Sequence, residues 1–189
     1  MEIQRQAGVK ICFTNGVYDI LTSGHIKFLE WLDAMLRPAD QQQWAVIVGI
    51  NSDESVQANK GRHRPVNPLE DRLAVMNALW MPDLVVPFYE ATPAELISLL
   101  QPDIIAKGGD YRGRPVVGQE VVEARHGSVL YGPYLEGRST SKTIERVYRA
   151  THGCPSCAGR GVAVGSGEFF DANNPHDQTC TVCAGRGYV

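Results

Sequence analysis

Five short apolar runs, Val9 to Phe13, Trp44 to Ile50, Leu84 to Phe88, Ile104 to Lys107 and Ser128 to Tyr131, are separated by stretches whose apolar residues recur at helical spacing. Strands that are apolar without alternation bury both faces, and strands alternating with helices achieve this in a parallel sheet with helices on either side. The pattern predicts such an α/β fold. Helix starts are marked by Asn67-Pro68-Leu69-Glu70, an N-cap with proline at the first helical position and a glutamate that reaches back, and by Thr92-Pro93-Ala94-Glu95, which repeats the device. After the first strand, Ile26, Leu29, Leu32 and Leu36 recur with helical period, and Phe28, Trp31 and Met35 widen the stripe.

In open sheets of this Rossmann-like kind, ligands bind beyond the carboxyl ends of the strands, where strand order reverses. Three segments fall at such ends. The first, Thr14 to His25, runs from strand one into a Thr-x-Gly-His turn and a helix, so His25 lies near a helix N-terminus, where unpaired N–H groups and the macrodipole favour an anion. Gly24 removes the side chain that would hold a phosphate off the backbone. The second is Asp103 to Tyr111, a strand running into a glycine turn with Lys107 and Asp110 at its end; a salt bridge between those two and contact with a nucleotide are both open. The third, Glu136 to Thr143, is a hydroxyl-rich turn opening a helix from Ile144 to Ala150, where Ser139, Thr140 and Ser141 suit both capping and anion binding. A basic loop, Lys60 to Pro65, is placed to close over phosphates.

The 189 residues, 43% of them apolar, suffice for one core and a small appendage. No secretory segment or long apolar run is seen, so a soluble, cytoplasmic protein without a membrane partner is expected. A formal charge of −3 gives a nucleic-acid partner no electrostatic support. Cys12 reads as a small buried residue of the first strand.

The three segments, in this order and spacing, resemble the nucleotidylyltransferase superfamily, which is marked by His-x-Gly-His or Thr-x-Gly-His near the N-terminus and a Ser-Thr turn near the end. Asn51-Ser52-Asp53, Arg64 to Arg72 and Lys107 to Tyr111 are most similar to the adenylyltransferase domain of ADP-heptose synthases. Glycerol-3-phosphate cytidylyltransferases lie on the other side. The likeness covers residues 9–150 and implies transfer of a nucleoside monophosphate from an NTP to a sugar or polyol phosphate, with heptose 1-phosphate and ATP the first choice. CTP with glycerol 3-phosphate, and a non-catalytic nucleotide-binding module, are the rivals. Thr22 stands where the first histidine of the signature is common, and Tyr134 stands where the cytidylyltransferase pattern has arginine, which favours ATP.

The resemblance implies nucleotide contacts at Phe13, Thr14, Asn15, Gly16, Thr22, Gly24, His25, Lys107, Gly109, Asp110, Ser139, Thr140 and Ser141, and acceptor contacts at Asn51, Asp53, Lys60 and Arg72. It makes His25 the donor to the α-phosphate in the transition state. Lys27 is a second catalytic residue by the same likeness, although helical geometry swings it well round from His25 and leaves a solvated lysine equally open. The attacking phosphate oxygen is already ionised at neutral pH, so alignment and charge stabilisation suffice without a general base. Mg²⁺ is expected to arrive with the triphosphate, with Asp19 and Asp110 as contributors. A homodimer is expected.

Beyond residue 150 the composition changes. Cys154-Pro155-Ser156-Cys157 and Cys180-Thr181-Val182-Cys183, separated by 22 residues, are each followed by Ala-Gly-Arg-Gly. Two Cys-x-x-Cys pairs suit a tetrahedral four-thiolate zinc site, a redox disulfide being the alternative. The repeats resemble the cysteine-rich repeats of DnaJ chaperones, without implying a chaperone function. The expected division is a nucleotidylyltransferase domain over residues 1–150 and a small zinc ribbon over residues 151–189.

Overall fold

The computed structural model describes residues 8–37, 43–151, 162–163 and 178–179. Strand β1 (Lys10–Gly16) leads into helix α1 (Ser23–Leu36), followed by β2 (Trp44–Asn51), α2 (Asp53–Lys60), α3 (Leu69–Asn77), β3 (Leu84–Phe88), α4 (Ala94–Leu100) and β4 (Ile104–Lys107). A single 3₁₀ turn (Gly109–Tyr111), α5 (Gln119–Glu123), β5 (Ser128–Tyr131) and α6 (Thr140–Thr151) complete the order, with the short strands β6 (Val162–Ala163) and β7 (Gln178–Thr179) paired antiparallel. Two compact units, Met1–Thr140 and Ser141–Val189, divide the chain.

The first unit is built on a sheet of order β3-β2-β1-β4-β5, every neighbouring pair parallel. All five expected strands are present. Strand periodicity sends alternate residues of β1 to opposite faces. Ile11 and Phe13 pack with Ile47, Ile97, Ile105 and Val122, whereas Cys12 packs with Leu29, Leu32, Val46, Val48 and Met76. The two clusters are the two sides of a doubly covered sheet, which is why the strands read as unbroken apolar runs. Within α1 the buried residues are Phe28, Leu29, Leu32 and Leu36, one stripe at the helical period, while Met35 lies outside it and is exposed. Emptying the fully buried Leu32 position to alanine would cost about 2–5 kcal/mol, the usual loss for a core leucine.

Both expected caps differ: helix α4 begins at Ala94 with Pro93, not Thr92, at the N-cap. Helix α3 begins at Leu69 with Pro68 at the N-cap, because Asn67 is occupied elsewhere: its backbone N–H and its side-chain amide both donate to Asp19, to the carboxylate and the carbonyl. No helix among the described residues is long and apolar enough to cross a membrane. Cys154, Cys157, Cys180 and Cys183 lie outside the described residues.

Candidate active site

Strand order reverses between β1 and β4, which leave the sheet centre for opposite flanks, and their carboxyl ends open a cleft. Thr14, Asn15, Gly16, Gly24, His25, Lys107, Asp110 and Ser139 all line it. Segments separated by more than a hundred residues therefore meet at the place where the sequence expects phosphates.

His25 occupies the third position of α1, and Thr22 is the N-cap. The Thr22 backbone N–H donates to His25 Nδ1 at 3.0 Å, the reach-back arm of a capping box with imidazole in place of the usual carboxylate or amide. The Thr22 hydroxyl lies 3.1 Å from the same nitrogen but spends its one proton on the Arg138 carbonyl at 2.7 Å. With Nδ1 accepting, the ring proton belongs on Nε2, which has no partner among the described residues. Burial holds the imidazole below its ordinary pKa, so the neutral Nε2–H tautomer is the resting form. The Tyr18 ring packs on the imidazole at 5.3 Å between centroids and fixes its plane. The result is a fixed neutral donor.

Lys107 ends β4 and is buried. Its Nζ donates to Asn15 Oδ1 at 2.6 Å and lies 5.2 Å from the centre of the Tyr111 ring. Burial pushes the ammonium down to about 8, against a smaller upward pull from the Asp110 carboxylate. This is a cation held below its ordinary affinity for a proton, which an incoming phosphate would restore. The charge interaction with Asp110 is present, but the hydrogen bond goes to Asn15. That use of Asn15 is one the sequence does not reveal, because the two residues are 92 positions apart.

Several expected site residues stand elsewhere. Lys27 points away from the cleft and pairs with Glu30 at 2.7 Å on the solvent side, as two residues of helical rotation dictate. Phe13 is wholly buried within the sheet core, and Thr140 is buried with its hydroxyl donating to the Ile20 carbonyl at 3.0 Å. Thr22 is not on the cleft wall. Ser141 opens the second unit. Gly109 is required by packing, since a Cβ there would lie 2.8 Å from the Gly132 carbonyl oxygen.

Gly24 has a cause the sequence reading missed: a Cβ would sit 2.6 Å from the Arg138 carbonyl oxygen, so the glycine admits a neighbouring backbone as well as any ligand.

Arg72, expected to hold the acceptor, is a buried structural tie. Its guanidinium donates to the carbonyls of Asn67, Val17 and Asn51 at 3.1, 2.7 and 2.9 Å and to Asp53 Oδ1 at 2.6 Å. Asp53 is thereby committed, and Asn51 gives its amide to Ser55 Oγ at 3.1 Å. Lys60 is exposed at the end of α2. Asp19 likewise serves the fold: burial alone would raise its pKa, but N–H groups of Asn67 and Val66 and the Arg64 guanidinium hold the carboxyl below its ordinary value. Arg64 Nε donates to it at 2.6 Å, which pins the basic loop. Its lone pairs are spent, so Asp110 is the carboxylate left to face the cleft.

Phe28, Tyr111, Pro133, Leu135 and Arg138, none of which the sequence marked as a site residue, line the cleft with Tyr134. Phe28 was legible in principle, since three residues beyond His25 it shares the same helix face.

An all-parallel sheet with a partly cationic cleft at its switch point defines an α/β protein of the nucleotide-binding, Rossmann-like class. The profile of the cytidylyltransferase-like family matches residues 13–146, and the chain belongs to that family. It is 45% identical over 143 residues to the bifunctional protein HldE of Wolinella succinogenes, covering 76% of this chain and 28% of that one. Similar values hold for the bifunctional protein HldE of Gluconacetobacter diazotrophicus, 46% over 143 residues with 76% and 28% covered, and of Yersinia pestis, 43% over 143 residues with 76% and 29% covered. The chain thus spans under a third of the length of these curated relatives. Among solved structures, the lipopolysaccharide core biosynthesis protein from Thermoplasma volcanium GSS1 shares the fold, with a TM-score of 0.51 and 23% identity over 67% of this chain and 96% of that one.

Proposed function

We propose that the chain is a nucleotidyltransferase that moves AMP from ATP to a sugar phosphate, heptose 1-phosphate in the first instance, and releases pyrophosphate. The observation that carries this reading is the convergence of a fixed neutral imidazole donor, a buried lysine and Ser139 on one cleft at the switch point. Membership of the cytidylyltransferase-like family supports nucleotidyl transfer, and the likeness of Arg64 to Arg72 and Lys107 to Tyr111 to ADP-heptose synthases supports the acceptor.

In this reaction a phosphate oxygen of the acceptor attacks the α-phosphorus of the NTP as the bond to the bridging oxygen breaks. The attacking oxygen needs no deprotonation. Charge gathers on the α-phosphoryl oxygens and the departing pyrophosphate, so fixed donors contribute most. His25 Nε2–H serves the α-phosphoryl group, its ring held in place by the Thr22 N–H on Nδ1. Lys107 and Ser139 serve the remaining phosphates. Mg²⁺ bound with the triphosphate would supply further charge neutralisation. The donor set fits an ion held chiefly by phosphate and water, since Asp110 faces the cleft while Asp19 is fully hydrogen-bonded.

Pyrophosphate release with ATP and heptose 1-phosphate tests the reading, and its absence with any NTP and any sugar or polyol phosphate would refute it. A CTP-dependent reaction on glycerol 3-phosphate is the second reading, favoured by the family's description. Competition between ATP and CTP in one reaction separates the two, with an ADP-sugar the expected product. The four cysteines of the tail hold one structural zinc in this proposal, and the enzyme works as a cytoplasmic homodimer.

A further inference from the structure

Two threonines frame the cleft without lining it. Thr22 Oγ1 donates to the Arg138 carbonyl at 2.7 Å, and Thr140 Oγ1 donates to the Ile20 carbonyl at 3.0 Å. The bonds cross: residues 20 and 22 of one segment meet residues 140 and 138 of the other. Neither Ile20 to Thr22 nor Arg138 to Ser139 belongs to the sheet, so no strand ladder ties these turns together. The Arg138 carbonyl approaches so closely that a Cβ on Gly24 would lie 2.6 Å from it, which makes the contact tight as well as hydrogen-bonded.

We propose that Thr22 and Thr140 are positioning residues, a reciprocal clasp that locks the turn carrying His25 to the turn carrying Ser139, and that neither hydroxyl binds phosphate. A hydroxyl has one proton to give, and a phosphate oxygen at this charge only accepts. Both protons are already given to backbone carbonyls. Each threonine therefore acts through its neighbour: Thr22 holds the segment before Ser139, and Thr140 holds the segment before His25. The clasp places two phosphate-facing side chains, drawn from opposite ends of the first unit, in fixed relation before any ligand arrives.

The functional consequence rests on the nucleotide reading of the cleft, so the test has one arm that needs no ligand. Valine keeps the shape of threonine and removes the donor. In the free protein, hydrogen exchange is expected to quicken at residues 138–140 in Thr22→Val and at residues 20–25 in Thr140→Val, with Thr22→Ser and Thr140→Ser restoring protection.

In the second arm, calorimetric ATP binding should weaken about two- to tenfold in each valine variant, the span of one neutral hydrogen bond. The double variant should lose no more than the worse single, because an opened clasp cannot be opened again. Exchange that quickens only at the substituted residue would overturn the clasp. So would multiplied losses in the double variant, or a silent Thr140→Val beside a weakened Thr22→Val, the pattern of a direct phosphate ligand. Failure of the wild type to bind ATP would sink the nucleotide reading instead, and the exchange arm would still decide the clasp.

Discussion

Replacing Lys107 by methionine is expected to stabilise the fold while weakening nucleotide binding. The ammonium sits near a pKa of about 8 in the folded chain against an ordinary 10.5, with burial the main cause and Asp110 opposing it. A lysine whose pKa falls on folding makes the folded state less stable wherever it is charged. That penalty is complete below about pH 8 and fades as pH rises to 10.5. At ~1.36 kcal/mol per pH unit the gap is of order 3 kcal/mol. The charge-assisted bond to Asn15 is lost with the lysine, so the net gain expected at pH 7 is about 1–2 kcal/mol. Urea unfolding midpoints at pH 7, 9 and 10.5 should show the gain shrinking with pH. The complementary measurement is ATP titration at pH 9, where the free lysine is mostly neutral and the bound one recharged. Calorimetry in two buffers of different ionisation enthalpy should report uptake of close to one proton by the wild type and none by Lys107→Met. A destabilised variant at pH 7, or no proton uptake by the wild type, would refute the argument.

His25→Ala should leave the fold intact and lower turnover by about 100- to 1000-fold, the usual loss of one fixed donor to developing charge; steady-state kinetics beside circular dichroism checks it. Arg72→Met should cost about 3–5 kcal/mol in denaturant unfolding, because Asp53 and three carbonyls lose their donor together. Lys27→Ala should leave kcat/KM within about threefold of wild type, as befits an exposed pair worth under ~1 kcal/mol. Metal analysis should find one zinc per chain, and a chain truncated after residue 150 should fold and keep transferase activity; no metal, or an unfolded truncation, counts against the division proposed from the sequence.

The sheet was legible because burial on both faces leaves little room for polar residues, so β2 announces itself as a run from Trp44 to Ile50. His25 was legible because its role depends on local geometry, a turn and a helix start within a few residues. The partners of Arg72 and Asp19 were not legible for the opposite reason: they include backbone groups 48 to 55 positions away, which no local pattern encodes. The Thr140 bond to Ile20 was not legible because a hydroxyl at a helix start serves an anion, a cap or a distant carbonyl equally well. Lys27 was carried by likeness to a motif, whereas the helix turns its side chain toward Glu30.

The central position of β1 has a consequence for how the molecule is made. Its first neighbour, β2, leaves the ribosome soon after it, but its other edge waits for β4, whose Ile104 and Ile105 pair with Cys12 and Phe13. Until Ile104 and Ile105 have emerged, the most apolar strand pair carries an open edge, the kind of surface that invites mispairing in partly synthesised chains. Lys107 lies two residues past those pairing residues, so the cleft gains its buried cation as that edge is sealed, and its Ser139 wall only later in the chain. A ribosome stalled before residue 107 should therefore display a chain that binds chaperones and not nucleotide.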